Sequence, residues 1–285
     1  MRHYGTSVVL AAAVLLCGAS VHAHDVWLAA DTGVLSVGGA LLVRQFVGIE
    51  LQPEEEIPLI RRTTSRFVLI TGRSTEDLLK ALPPEKDLPV VQPVLTRTVT
   101  DSGLALVAMD HDLIYGEFTE EAFADYLAHE EFRPAEIPWT QGQRSAERER
   151  YVRSLKCLTA VGDGRGDVFS RVIGQRLEIL LKENPYRSAI GDPLQAQVLF
   201  EGKPLKDKLV MAFHRHGSGP VTKYRARTDD QGIATFALAA PGQWLIRLVH
   251  IRPCVAVAES DCEDYDWESD WSSFTFLRPD ATANP

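Results

Sequence analysis

The sequence has 285 residues, of which 30 are Lys or Arg and 39 are Asp or Glu, so its formal net charge is −9 at pH 7. This acidic balance disfavours nucleic-acid binding, because clustered Lys and Arg hold a phosphate backbone, and it favours the attraction of cations. Without an N-terminal leader, about 260 residues would remain, enough for one large core or two smaller ones.

The first 23 residues are predicted to be an export signal. Arg2 and His3 give a short basic start, residues 7–19 are small and apolar, and the closing Val-His-Ala fits the small-x-small site of signal peptidase. The apolar run is shorter than the roughly 20 residues that span a bilayer. We therefore expect cleavage just before His24, a periplasmic or secreted location, and no membrane span after cleavage.

Residues 24–117 are predicted to form a β-sandwich. Short runs rich in Val, Leu, Ile and Phe alternate with Gly, Pro and Asp at the spacing typical of such folds. Residues 174–278 show the same patterning, with turns expected at Gly202 and at the Asp-Asp-Gln-Gly sequence 229–232. Residues 279–285 form a polar tail.

The segment between these regions, residues 118–173, is predicted to be helical. Thr119 precedes acidic residues, which is typical of a helix start, and a second helix is expected to begin at Ser145. The residues that would share a helical face are Phe123, Tyr126 and Leu127 in the first helix, and Tyr151, Val152, Leu155, Leu158 and Thr159 in the second. The predicted fold is thus mainly β, with two immunoglobulin-like or transthyretin-like sandwich modules separated by helices. One continuous sheet would contradict that division.

Three cysteines follow the predicted cleavage site. In an oxidising compartment Cys254 and Cys262 could close a short loop and leave Cys157 unpaired, but spacing alone does not fix connectivity. Three free thiols remain the alternative.

Several motifs together carry a family resemblance. In chain order they are "HDVWL", "RERYVRSLKCL", "VLFEGKPL", "TDDQGIATFAL", "GQWLIRLVH" and "DWESDWSSFTF". Their order and spacing resemble an extracytoplasmic family of unknown function associated with nickel and cobalt uptake. The resemblance implies a β-rich exported protein linked to metal import, whose mature N-terminal histidine binds the ion and whose partner could be a membrane metal permease.

The residues themselves also favour a metal at His24. A free N-terminal histidine offers two nitrogens, from its α-amino group and its imidazole, to one ion. The α-amino group has a reference pKa of about 7.7–8.0, so losing its proton to a metal costs little near neutral pH. Nitrogen ligands suit nickel, cobalt and copper, and we expect nickel or cobalt, with copper as the alternative. A solvated chain end would be the simpler interpretation.

A second ligand is expected from His250, which shares a predicted strand face with apolar residues. Such a histidine is often a core residue, but the resemblance also places a histidine near this position. Asp266 and Glu268 flank Trp267 and could add oxygen ligands. We therefore expect His24 and His250 to share one ion near these carboxylates, with His111 as a secondary site.

Two other functions stay open. The chain could be a carbohydrate-binding or surface-interaction module without metal, or, less favoured, a copper enzyme with a histidine brace. The sequence contains no His-Glu-x-x-His, no phosphate-binding glycine loop and no Gly-x-Ser-x-Gly motif. Sandwich folds host all three functions, so the fold cannot choose among them. The candidate site residues favour metal binding or delivery, which therefore ranks first.

Overall fold

The computed structural model describes residues 24–84, 90–237, 241–255 and 262–280. The strands in these ranges are β1 (Asp25–Ala30), β2 (Val34–Leu35), β3 (Gly39–Ile49), β4 (Gln52–Glu56), β5 (Thr64–Ile70), β6 (Thr75–Asp77), β7 (Leu95–Val99), β8 (Gly103–Phe118), β9 (Glu147–Val161), β10 (Leu177–Leu181), β11 (Pro193–Phe200), β12 (Lys203–Pro204), β13 (Leu209–Arg215), β14 (Thr222–Arg227), β15 (Ile233–Ala237), β16 (Gly242–Pro253) and β17 (Trp267–Arg278). One α-helix, α1, spans Glu120–His129, and short 3-10 turns lie at Arg61–Thr63, Leu79–Ala81 and Val168–Ser170.

The strands form three sheets. The central sheet has the order β14-β13-β16-β17-β9-β8-β5-β6, with β2 also paired to β9. The N-sheet contains β1, β3, β4 and β7, and the C-sheet contains β10, β11, β12 and β15. The protein is therefore mainly β.

The central sheet takes strands from both halves of the chain. Its join is the parallel pairing of β9 with β17, from Trp267 opposite Glu149 to Phe276 opposite Leu158. The two modules expected over 24–117 and 174–278 therefore share one continuous sheet, and the predicted division between them is not seen.

The central sheet is covered on both faces. In β8, Leu104 and Leu106 pack in a core with the C-sheet, whereas Ala105 and Val107 pack in a core with the N-sheet. A strand that is buried on both faces has a continuous apolar run instead of an alternating one. This three-layer packing explains runs such as "LALVAM" in β8.

The second predicted helix is wrong, because Glu147–Val161 forms strand β9. Its last eight residues are buried on both faces, so apolar side chains occur at every spacing, including the i, i+3, i+4 spacing of a helix. The first predicted helix is confirmed as α1. The Thr119 hydroxyl accepts a hydrogen bond from the Ala122 N–H at 3.2 Å, as a helix cap does.

The predicted turns and disulfide are found. At Gly232, φ is +73° and an added Cβ would lie 2.5 Å from the Val198 carbonyl oxygen, so only glycine fits this turn. Cys254 and Cys262 are disulfide-bonded, and Cys157 is a buried free thiol. The predicted signal, residues 1–23, lies outside the described residues. No helix within the described ranges combines the length and apolar character needed to cross a membrane.

Candidate functional site

His24 lies at the surface, immediately before β1. Its Nε2 atom is 2.9 Å from Oε2 of Glu54 on the neighbouring β4, and 36% of the His24 side chain is exposed. Strand β1 holds this position, because Val26 and Leu28 are buried in the core between the N-sheet and the central sheet. An imidazole and a carboxylate thus stand together at a firmly anchored edge.

The residue after His24 belongs to a buried ion network. Oδ1 of Asp25 lies 2.9 Å from Nε of Arg247 on β16, and both side chains are almost fully buried. Arg247 also pairs with Glu130, which follows α1. Burial raises the pKa of Glu130, and the Arg247 charge opposes that rise. This network fixes the start of β1 against the central sheet and so fixes the backbone of His24.

This network was not predicted, although the sequence contains one sign of it. Arg247 is a charged residue inside the apolar run "WLIRLVH", and a guanidinium buried in such a strand needs carboxylate partners. His129, the last residue of α1, lies near the same network. Burial and the charge of Arg247 lower its pKa, and the charge of Asp25 raises it.

His250 lies on the opposite face of the central sheet. It is 8% exposed, its ring centroid is 4.8 Å from that of Phe200 on β11 of the C-sheet, and its Cα pairs with Asp270 on β17. Burial lowers the pKa of His250 to about 3, with smaller effects from nearby cations. Its Nδ1 atom has no hydrogen-bond partner among the described residues. His250 is therefore a neutral core histidine at neutral pH.

The expected site shared by His24 and His250 is not formed. The His24 ring contacts the N-sheet through Glu54, whereas the His250 ring packs against the C-sheet, so the central sheet separates them. Within the described residues, no group of three or more His, Cys, Asp or Glu side chains is arranged to hold a metal ion.

Arginines hold the two carboxylates that were expected near the metal. Glu268 accepts hydrogen bonds from Arg150 at 2.8 Å, Arg176 at 3.1 Å and Arg252 at 3.0 Å. Asp266 sits apart from this group and accepts from Nε of Arg148 at 3.1 Å. A cation would have to displace these guanidinium groups to reach either carboxylate.

Asp270 completes an arginine–carboxylate cluster, made of Arg150, Arg176, Arg252, Glu268 and Asp270. Nη2 of Arg252 donates to Oδ2 of Asp270 at 2.8 Å, and the Asp270 side chain is fully buried. Burial raises the pKa of Asp270 to about 6, although Arg176 and Arg252 act to lower it. Because Arg176 directly precedes β10, the cluster ties the C-sheet to the central sheet.

Two further histidines, His111 and His216, lie apart from the His24–Glu54 pair. The Nε2 atom of His111 is 3.3 Å from Nε2 of Gln45 on β3, and burial lowers the pKa of His111 to about 4. The neighbouring Asp112 is exposed, and among the described residues no carboxylate pairs with the His111 ring, where a secondary metal site was expected. His216 forms an exposed pair with Asp280 at 3.1 Å.

These features define a layered, mainly β protein with a surface histidine–carboxylate pair at the start of its first described strand. Residues 21–252 match the family model described as a domain of unknown function, DUF4198. The chain belongs to this family.

No curated protein matches the chain. Among solved structures, the "D0-D1 domain of Intimin" is 12% identical, with 88% of this chain and 97% of that one covered and a TM-score of 0.20. A tetra-tandem repeat from the extending region of a large adhesion protein is 10% identical, with 89% and 49% covered and a TM-score of 0.21. Neither likeness is close enough to support a functional argument.

Proposed function

We propose that this chain is an exported protein that binds a divalent transition metal through His24 and assists its uptake or delivery. Nickel or cobalt is the expected ion, with copper as the alternative. One observation supports the proposal above others: the His24 imidazole lies 2.9 Å from the Glu54 carboxylate at an exposed edge. In this proposal Glu54 orients the His24 ring, and His250 is not a ligand.

The donor set suits such an ion. A chain cleaved before His24 offers its α-amino nitrogen and the imidazole Nδ1 to one ion, while Glu54, 2.9 Å from Nε2, orients the ring from its other edge. Nitrogen donors favour late first-row metals over calcium or magnesium. The buried start of β1 restrains the chain end in advance, so less conformational entropy is lost when the ion binds.

Two protein donors leave several coordination positions open. Water or a small chelating molecule can occupy them, and a partner can approach the ion there. Such a site suits transfer to a receptor, such as a membrane permease, better than permanent structural binding, which uses closed sites. The arginine–carboxylate cluster and His250 have no part in this proposal.

The test compares metal affinities of four metal-free proteins by calorimetry with nickel, cobalt and copper chlorides. They are the chain beginning at His24, the same chain with one extra N-terminal glycine, His24→Ala, and Glu54→Gln. We expect the extra glycine and His24→Ala each to weaken binding roughly tenfold or more, about 1.4 kcal/mol. Glu54→Gln keeps both nitrogens and should weaken binding less.

The matched control is His216→Ala, which removes the imidazole of the other exposed histidine–carboxylate pair and should leave affinity unchanged. Unchanged affinity in both the extended chain and His24→Ala would refute the site. Mass spectrometry of the protein recovered after export should show His24 as the first residue, and retention of earlier residues would remove the α-amino donor.

A further inference from the structure

Three uncharged donor side chains meet between the N-sheet and the central sheet. Met109 and His111 are two positions apart in β8 and therefore extend from the same face of the strand. Gln45 extends towards them from β3 of the N-sheet. The Nε2 atom of His111 lies 3.2 Å from Sδ of Met109 and 3.3 Å from Nε2 of Gln45. A thioether, an imidazole and an amide thus share one small space.

The protein leaves part of this group without a partner. Gln45 and Met109 are no more than 2% exposed, and Oε1 of Gln45 has no hydrogen-bond partner among the described residues. A flip of the Gln45 amide places Oε1 where Nε2 now faces His111, because the two atoms occupy equivalent positions in the amide. Oxygen, imidazole nitrogen and sulphur then turn lone pairs towards one another, an arrangement that a cation between them stabilises.

The His111 ring is ready to bind a metal at neutral pH. Burial, and to a smaller extent the charge of Arg153 on β9, lowers the pKa of His111 to about 4, so the ring is uncharged. In contrast to Met109 and Gln45, His111 keeps some solvent exposure, and the exposed Asp112 follows it. An ion can therefore approach the site at His111 without unfolding of the core.

The distance between the nitrogen and the sulphur suits one shared ion. Metal bonds of about 2.0 Å to nitrogen and about 2.3 Å to sulphur, as zinc makes, span 3.2 Å with an angle of roughly 95° at the ion. Such an angle fits three or four ligands and does not fit a linear pair. Gln45 is the side chain in place to supply the third ligand.

The donor types and the local charge select the ion. Thioether and imidazole ligands suit copper(I), whereas hard ions prefer carboxylate oxygens. Arg153, whose Cα pairs with that of His111, places a positive charge beside the site. Its repulsion is twice as strong for a divalent ion as for a monovalent ion at the same position. A soft monovalent ion is therefore favoured over nickel, cobalt or copper(II).

We propose that Met109, His111 and Gln45 form a copper(I) site, with Sδ, Nε2 and Oε1 as the ligands. The site is separate from His24, and the proposal does not rest on the divalent-metal function proposed above.

The experiment measures copper(I) affinity in the presence of ascorbate, by competition with the chelator bicinchoninate. The parent is His24→Ala/Cys157→Ala, so neither the chain end nor the free thiol contributes a ligand. Met109→Leu removes the sulphur at nearly constant volume and should weaken binding tenfold or more. Met211→Leu is the matched control and should keep the affinity of the parent, because Met211 is equally buried but packs in the cluster with Trp27.

X-ray absorption at the copper edge identifies the ligands directly. The parent should show one sulphur at about 2.3 Å, and this signal should be lost in Met109→Leu and kept in Met211→Leu. The spectrum of the parent tests the site even where a variant is unstable, since a copper shell without sulphur overturns the proposal.

Three affinity results would also overturn it. Copper(I) stays with bicinchoninate in the presence of the parent; or Met109→Leu and Met211→Leu have equal affinities; or nickel(II) or cobalt(II) binds the parent more tightly than copper(I), which contradicts selection of a soft monovalent ion. A loss of copper(I) affinity confined to Met109→Leu supports the proposal.

Discussion

Arg247 and Asp25 form an ion pair between the central sheet and the N-sheet, with 2.9 Å between Nε and Oδ1 and no more than 4% of either side chain exposed. The pair lies directly behind His24. The first two residues of "HDVWL" therefore have different roles. Asp25 anchors the strand, and His24 faces solvent beside Glu54.

Replacing Arg247 by Met should destabilise the protein strongly. The change leaves Asp25 and Glu130 buried without their shared cation, which typically costs about 3–5 kcal/mol. Urea unfolding near neutral pH measures the loss. Arg225→Gln is the control, because it removes an arginine from an exposed pair with Glu131 and should cost at most about 1 kcal/mol. Similar losses in both variants would show that the buried network contributes no more than a surface pair.

The buried His250 should make the protein less stable in acid. Its pKa falls from 6.5 to about 3 on folding, so its contribution is complete above pH 6.5 and is lost as the pH falls toward 3. Between about pH 7.5 and pH 5 the loss from this group should be about 2 kcal/mol. His250→Leu should remove that part of the pH dependence, measured by urea unfolding at both pH values, whereas His216→Ala should retain it. An unchanged pH dependence in His250→Leu would contradict the assigned burial.

Asp270 should act in the opposite direction. Its pKa rises from 3.8 to about 6 on folding, so its contribution is complete below pH 3.8 and is lost as the pH rises through 6. Acidification from about pH 7.5 to pH 5 should therefore recover about 1–1.5 kcal/mol from this group. Asp270→Asn cannot gain a proton, and its stability should fall more steeply than that of the parent over this range. An equal fall in both proteins would show that folding does not raise the pKa of Asp270.

The number of reactive thiols should differ between the folded, unfolded and reduced protein. Burial raises the pKa of Cys157 to about 11, and its side chain is 2% exposed, so a thiol reagent should not react with the folded chain beginning at His24. One thiol should react in urea, and three should react after reduction of the Cys254–Cys262 disulfide. Reaction of the folded protein would place Cys157 at the surface.

Local chemistry made several elements predictable from the sequence. Thr119 caps α1 through its own hydroxyl, and the positive φ of Gly232 belongs to the turn after Asp229, so both features follow from local sequence. The Cys254–Cys262 disulfide joins residues eight positions apart, and the sequence offered it as one of two alternatives. The alternation that places His250 with Trp244 was also visible, and both belong to one buried face of β16.

The prediction of a helix at β9 was wrong because the sequence does not show which sheets pack on the two faces of this strand. In a sheet with one covered face, apolar and polar residues alternate along each strand. The segment "SLKCLTAV" lacks this alternation because it packs against the N-sheet on one side and the C-sheet on the other. Burial on both faces removes the period that distinguishes a strand from a helix. The shared central sheet could not be predicted either. The pairing of β9 with β17 joins residues about 120 positions apart, and no local pattern specifies it.

The sequence alone determined that this chain is acidic and mainly β, that one helix begins after Thr119, and that His250 points inward. It could not determine which layer His250 faces. Periodicity assigns a side chain to a face of its strand, whereas the identity of the layer on that face depends on long-range strand pairing. Only the tertiary structure placed His24 beside Glu54 on one side of the central sheet and His250 against Phe200 on the other, because that sheet has a second covered face.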